Sequence, residues 1–115
     1  MYHGSCHCKN IEFSVDAPIT EVMECNCSIC SRKGFLLAIV PSDKIHIEEV
    51  KTPLTKYFFN KEKVTHEFCP ICGVQCFASG ESPMDGTLSY AVNVRTLQDI
   101  DISTLPVKNV DGKSL

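Results

Sequence analysis

Seven of the eight cysteines of this chain fall into three short clusters: Cys6-His7-Cys8, Cys25-Asn26-Cys27-Ser28-Ile29-Cys30 and Cys69-Pro70-Ile71-Cys72-Gly73. Soft thiolates at such intervals converge readily on a tetrahedral zinc ion. They pair poorly as disulfides, because bridging Cys-x-Cys or Cys-x-x-Cys closes a strained ring. The division of ligands suggests two centres. A pair from one cluster and a pair from another complete a four-thiolate centre. The remaining triplet leaves one coordination position for water or substrate, and closed centres hold folds together whereas open ones do chemistry.

The first pair is Cys69 and Cys72, a zinc-knuckle turn in which Gly73 suits a positive φ after the second ligand. Its expected partners are Cys6 and Cys8, with Gly4 relieving crowding at their turn, and the resulting centre reads as structural. His7 competes with its neighbours as a ligand, but three consecutive side chains do not aim at one ion, so it is expected to face outward. Iron is the competing metal, since Cys-Pro-x-Cys-Gly also occurs in rubredoxin-type sites. Those sites use two such knuckles, and the chain has one, which favours zinc.

The triplet Cys25, Cys27 and Cys30 reads as a catalytic zinc site with a free position, able to lower the pKa of a bound thiol or water and to polarise a carbonyl. The competing reading closes the site with Cys76, and the residues alone leave both readings open. Arg32 and Lys33 follow the triplet. They offer two positive charges for a carboxylate of a peptide-like substrate, against the plainer reading of solvated surface charge. Arg95 stands in the same position.

The elements that must position these residues read as strands. Period-two alternation marks Ile11–Val15, 45–48 and 87–94. The apolar run 35–40 predicts a strand buried on both faces. Segments 54–59, 64–68 and 74–78 are rich in aromatic and β-branched residues, and 21–25 leads into the triplet. Turn chemistry at 16–18, 41–43, 60–62, 80–83 and 85–86 separates them. Single helical turns are expected at 28–33 and 95–100, and an irregular tail at 105–115. The prediction is an antiparallel all-β fold.

At 115 residues the chain is sized for a single zinc-binding domain, 1–115, with a modest core that structural metal would reinforce. A net charge of −3 argues against nucleic-acid binding, which needs a basic face. No run approaches the ~20 apolar residues of a membrane span. Residues 1–5 show no basic segment leading into an apolar one, so the expected location is the reducing cytoplasm, where clustered thiols serve as ligands.

The order Gly-Ser-Cys-His-Cys, Cys-Asn-Cys-Ser-Ile-Cys-Ser-Arg-Lys-Gly and Phe-Cys-Pro-Ile-Cys-Gly-Val-Gln resembles the glutathione-dependent formaldehyde-activating family, which also includes centromere protein V. Ala91-Val92-Asn93-Val94-Arg95-Thr96-Leu97 and Val110-Asp111-Gly112 extend the likeness from Gly4 to Gly112. The resemblance implies an Mss4-like arrangement of antiparallel sheets with zinc at their edges. It implies a structural zinc on Cys6, Cys8, Cys69 and Cys72, and a catalytic zinc on Cys25, Cys27 and Cys30. The implied partner is glutathione or a related small thiol, and the implied reaction is its condensation with formaldehyde, classed as a carbon–sulfur lyase from the reverse direction. Set against this enzyme are a thiol-binding module without turnover and a structural interaction domain. A B-type methionine sulfoxide reductase would need a late catalytic cysteine, and none follows Cys76.

Overall fold

The alternating segments pair into two sheets in a computed structural model of the protein, which describes residues 1–58, 64–81 and 86–114. The strands are β1 (Tyr2–Ser5), β2 (Ile11–Val15), β3 (Val22–Cys25), β4 (Leu37–Pro41), β5 (Ile45–Val50), β6 (Thr55–Tyr57), β7 (Val64–Phe68), β8 (Phe77–Glu81), β9 (Leu88–Asn93) and β10 (Val107–Val110); helix α1 is Ser28–Lys33. Strands β1-β2-β5 form one sheet, and β10-β3-β4-β9-β8-β7-β6 the other. All ladders are antiparallel except β10 with β3, which is parallel.

The core lies between the sheets. Ile11, Phe13 and Val15 all project from β2 into it and are essentially buried, as strand periodicity requires. Burial of each such side chain contributes about 1.5–3 kcal/mol. Phe13 meets Phe77 of β8 edge to face at 5.7 Å, and Phe77 meets Tyr90 of β9 at 5.3 Å, so an aromatic relay joins the two sheets. The amino-terminal strand is tied to the chain after β9 by the Gln98 N–H to the His3 carbonyl and by the His3–Asp99 pair. Among the described residues no helix is long and apolar enough to cross a membrane.

Four expectations need correction. The run 35–40 is not buried on both faces: Ala38 and Val40 point inward, but Ile39 is 55% exposed. The strand expected at 74–78 begins only at Phe77, because the carbonyls of Val74, Gln75 and Cys76 bond to Cys69 and Asn93 instead of a strand ladder. The tail is not wholly irregular, since Val107–Val110 pairs along the whole of β3. Gly4 does not serve the turn of Cys6 and Cys8; it lies in β1, where a Cβ would stand 2.6 Å from the Phe13 ring. The turn at 60–62 and part of that at 80–86 lie outside the described residues, as does the end of the strand expected at 54–59.

Candidate metal centres

The sulfurs of Cys6, Cys8, Cys69 and Cys72 lie within 4.8 Å of one another. Cys8 is 3.7 Å from Cys6 and 3.6 Å from Cys69, sulfur to sulfur. Four sulfurs about 2.3 Å from a zinc ion form a tetrahedron with edges of about 3.8 Å, so the group fits that ion. Two turns deliver it. Between β7 and β8, the chain turns back with Gly73 at φ 79°, and the N–H groups of Ile71 and Cys72 approach the Cys69 sulfur at 3.3 and 3.5 Å. Between β1 and β2, Lys9 takes φ 65° and its N–H donates to the Cys6 carbonyl. His7 is exposed and outside the group.

The thiols of this group differ in acidity. Burial raises Cys72, but the N–H groups of Val74 and Cys8 and the neighbouring thiols outweigh it and hold the group at about 6. Burial also opposes ionisation of Cys69, and the Cys72 and Ile71 N–H groups prevail to lower it. The Asn10 N–H lowers Cys8, yet desolvation and the thiols of Cys69, Cys6 and Cys72 push it up to about 11. Sulfurs held by backbone donors in this way are ready to exchange protons for a cation.

The second group is Cys25, Cys27 and Cys30, whose sulfurs also converge within 4.8 Å. Cys25 ends β3, Cys27 is the N-cap of α1, and Cys30 lies on the inner side of that helix. The helix closes on Gly34, at φ 69°, whose N–H donates to the Cys30 carbonyl. Burial raises Cys27, but the Cys30 N–H, the two neighbouring thiols and the Ile29 N–H together lower it. Burial and the proximity of Cys27 and Cys25 raise Cys30. Among the described residues no further His, Cys, Asp or Glu joins the triplet. Cys76 is buried elsewhere: burial and nearby Cys6 push its thiol up to about 12, and it also contacts Thr96.

A cavity of about 520 Å³ lies beside the triplet, with Cys25, Cys30, Glu24, Asn26, Arg95 and Asp111 in its wall. Arg32 and Lys33, the cations expected there from sequence, are not in that wall. The Arg32 guanidinium folds back on the Ser28 carbonyl at 2.8 Å. The Lys33 ammonium donates to Gln75 at 2.6 Å and sits over the Phe68 ring at 5.2 Å; desolvation there lowers its pKa. The cavity's cation is Arg95. Asn93 positions it, accepting the Arg95 N–H at 3.3 Å through Oδ1 while donating to the Gln75 carbonyl through Nδ2. The Arg95 Nε then donates to the Gly34 carbonyl at 3.2 Å.

Sequence reasoning missed Asn26 and Asp111. Asn26 follows the first triplet cysteine, and its Nδ2 donates to Asp111 Oδ1 at 2.9 Å. Ser114 and Asn26 together hold the Asp111 carboxyl below its usual range. Both residues stood only inside segments that carry the family likeness, and Asp-Gly at 111–112 reads alone as a turn.

Comparison with known proteins agrees with this geometry. The sequence model of the family described as glutathione-dependent formaldehyde-activating enzyme matches residues 1–109. Among solved structures, a crystal structure of a Rhodobacter sphaeroides protein superposes with a TM-score of 0.77 at 25% identity. The match covers 92% of this chain and 99% of that one.

Proposed function

The chain belongs to the glutathione-dependent formaldehyde-activating enzyme family, and from that premise we propose that it is a two-zinc protein acting on a glutathione–aldehyde adduct. In this reading Cys6, Cys8, Cys69 and Cys72 hold a structural ion, and Cys25, Cys27 and Cys30 hold a catalytic one. The observation that carries the reading is three convergent sulfurs, without a fourth protein ligand among the described residues, beside a cavity of about 520 Å³. That volume falls in the range of small-ligand sites. A zinc ion there would supply Lewis acidity, favouring the thiolate of a small thiol and polarising a carbonyl.

The chain's own residues would do the rest. Arg95 is suited to a carboxylate of the tripeptide, and the carboxylates of Glu24 and Asp111 to its ammonium group. Arg32 and Lys33 would contribute long-range charge rather than contact. In the forward reaction the glutathione sulfur adds to the formaldehyde carbon, and the proton lost from the thiol is balanced by the one gained on oxygen. The reverse breaks the same carbon–sulfur bond, which makes the activity that of a carbon–sulfur lyase. Reduced thiolates of this kind suit the cytoplasm, and the whole chain would act as one domain.

A thiol carrier without turnover is the second reading. Among the described residues the cavity wall has no His, Lys or Tyr to exchange the proton, and the addition itself proceeds unaided. Metal analysis with calorimetry against glutathione tests the site: two zincs and saturable binding are expected. Adduct formation faster than the uncatalysed rate supports the enzyme, and binding without acceleration supports the carrier. Absence of glutathione binding to the two-zinc protein would overturn both.

A further inference from the structure

The segment after β10 lies directly on the three-thiolate group. A Cβ built on Gly112 would overlap the Cys25 sulfur and stand 3.3 Å from the Cys27 Cβ. No positive φ explains this glycine; the constraint is space. The segment is held there by a small circuit centred on Asn26, the residue between Cys25 and Cys27. Its N–H donates to the Val110 carbonyl at 3.2 Å. Its Nδ2 donates to Asp111 Oδ1, and its Oδ1 accepts from the Lys113 N–H, both at 2.9 Å. Ser114 closes the circuit by donating to Asp111 Oδ2 at 2.7 Å. The parallel register of β10 on β3, ending at Val110 opposite Cys25, brings these residues to the right height.

We propose that this carboxy-terminal clamp is a positioning device for the three-thiolate site: Asn26 and Asp111 fix the segment, and Gly112 leaves the room in which the Cys25 sulfur turns toward a metal ion. The inference rests on the two-zinc reading above and deepens it. It makes Asn26, Asp111 and Gly112 partners of the ligands, without being ligands themselves. The four-thiolate group is independent of the clamp, since none of its residues touches the clamp's hydrogen bonds.

Zinc itself is the probe, with affinity of each site read by competition against a chromophoric chelator, and cobalt substituted for zinc reports ligand geometry through its visible spectrum. Gly112→Ala is expected to keep one zinc at wild-type affinity and to weaken the second about 10–100-fold, the usual effect of losing a partner that orients a ligand. The cobalt bands of the weakened site should shift. Asn26→Asp sets two carboxylates against each other and should weaken the same site. Added negative charge alone would favour zinc, so a loss reports the broken clamp.

The exchange Asn26→Asp with Asp111→Asn retains all three side-chain bonds, with donor and acceptor reversed only between positions 26 and 111 while Lys113 N–H and Ser114 Oγ still donate, and should restore affinity. Lys108→Ala, exposed on β10 just before the clamp, should change nothing. Wild-type second-site affinity in Gly112→Ala would overturn the clamp, as would an exchange no better than Asn26→Asp if the former variant does not fold. Uptake of only one zinc by the wild-type protein would instead overturn the two-zinc reading, and the clamp with it.

Discussion

Cys27-Ser28-Ile29-Cys30 and Cys69-Pro70-Ile71-Cys72 are nearly the same tetrapeptide, and the fold treats them alike at first. In each, backbone N–H groups two and three residues on act on the first sulfur and favour its thiolate. A glycine with positive φ follows each, Gly73 directly after Cys72 and Gly34 at the end of α1, four residues after Cys30. The difference lies in what the rest of the chain delivers. The β1–β2 turn brings two more cysteines to Cys69 and Cys72, and this group is tied into the core through Cys6 and Cys69. Among the described residues only Cys25 comes to Cys27 and Cys30; on the remaining side are a cavity, Arg95 and the carboxy-terminal segment. On the proposed reading the same Cys-x-x-Cys spacing would serve as a staple in one place and an open ligand set in the other, and the neighbouring strands would decide which.

The comparison is broken most forcefully by removing one sulfur from each turn. Cys72→Ser should abolish cooperative folding, because apparent affinities of structural zinc are about 10–16 kcal/mol and much of that is folding free energy. Circular dichroism and zinc content check this; a cooperatively folded variant with normal zinc would contradict the structural assignment. Cys27→Ser should be milder: one zinc lost, glutathione binding abolished and the thermal transition preserved. Unfolding as severe as that of Cys72→Ser would show that both ions are structural.

Two smaller effects sharpen the contrast. Under graded chelation one zinc should leave first without loss of tertiary structure, since on the proposed reading three protein ligands would hold it against four for the other. Loss of both ions in a single step together with unfolding would contradict this. Cys76→Ala should cost about 1 kcal/mol, the scale of a small buried truncation, with both zincs retained. Loss of one zinc would make Cys76 a ligand.

The cysteine groups were legible in the sequence because metal ligation is set by local spacing. Cys69-x-x-Cys72 and Cys27-x-x-Cys30 build their own turns, whereas the residues alone left open whether Cys76 joins the triplet. The strands with alternation, such as Ile11–Val15, were legible for the same local reason. What resisted reading depends on contacts distant in sequence. Lys33 is adjacent to the triplet in sequence but is drawn to Gln75 and Phe68, while Arg95 reaches the cavity from 65 positions after Cys30. Strand β10 is largely exposed, with Lys108 and Asn109 at its centre, so no apolar pattern announces it. Gly112 cannot be distinguished from a turn glycine until the Cys25 sulfur is seen against it.

The claim that one group is closed and the other open is tested most directly by zinc K-edge X-ray absorption on the two-zinc protein with and without glutathione. Four and three protein sulfurs give an average of about 3.5 sulfurs per zinc, rising to about 4 when a glutathione thiolate takes the free position. An average of 4 before any thiol is added, or no change on adding glutathione, would contradict the account.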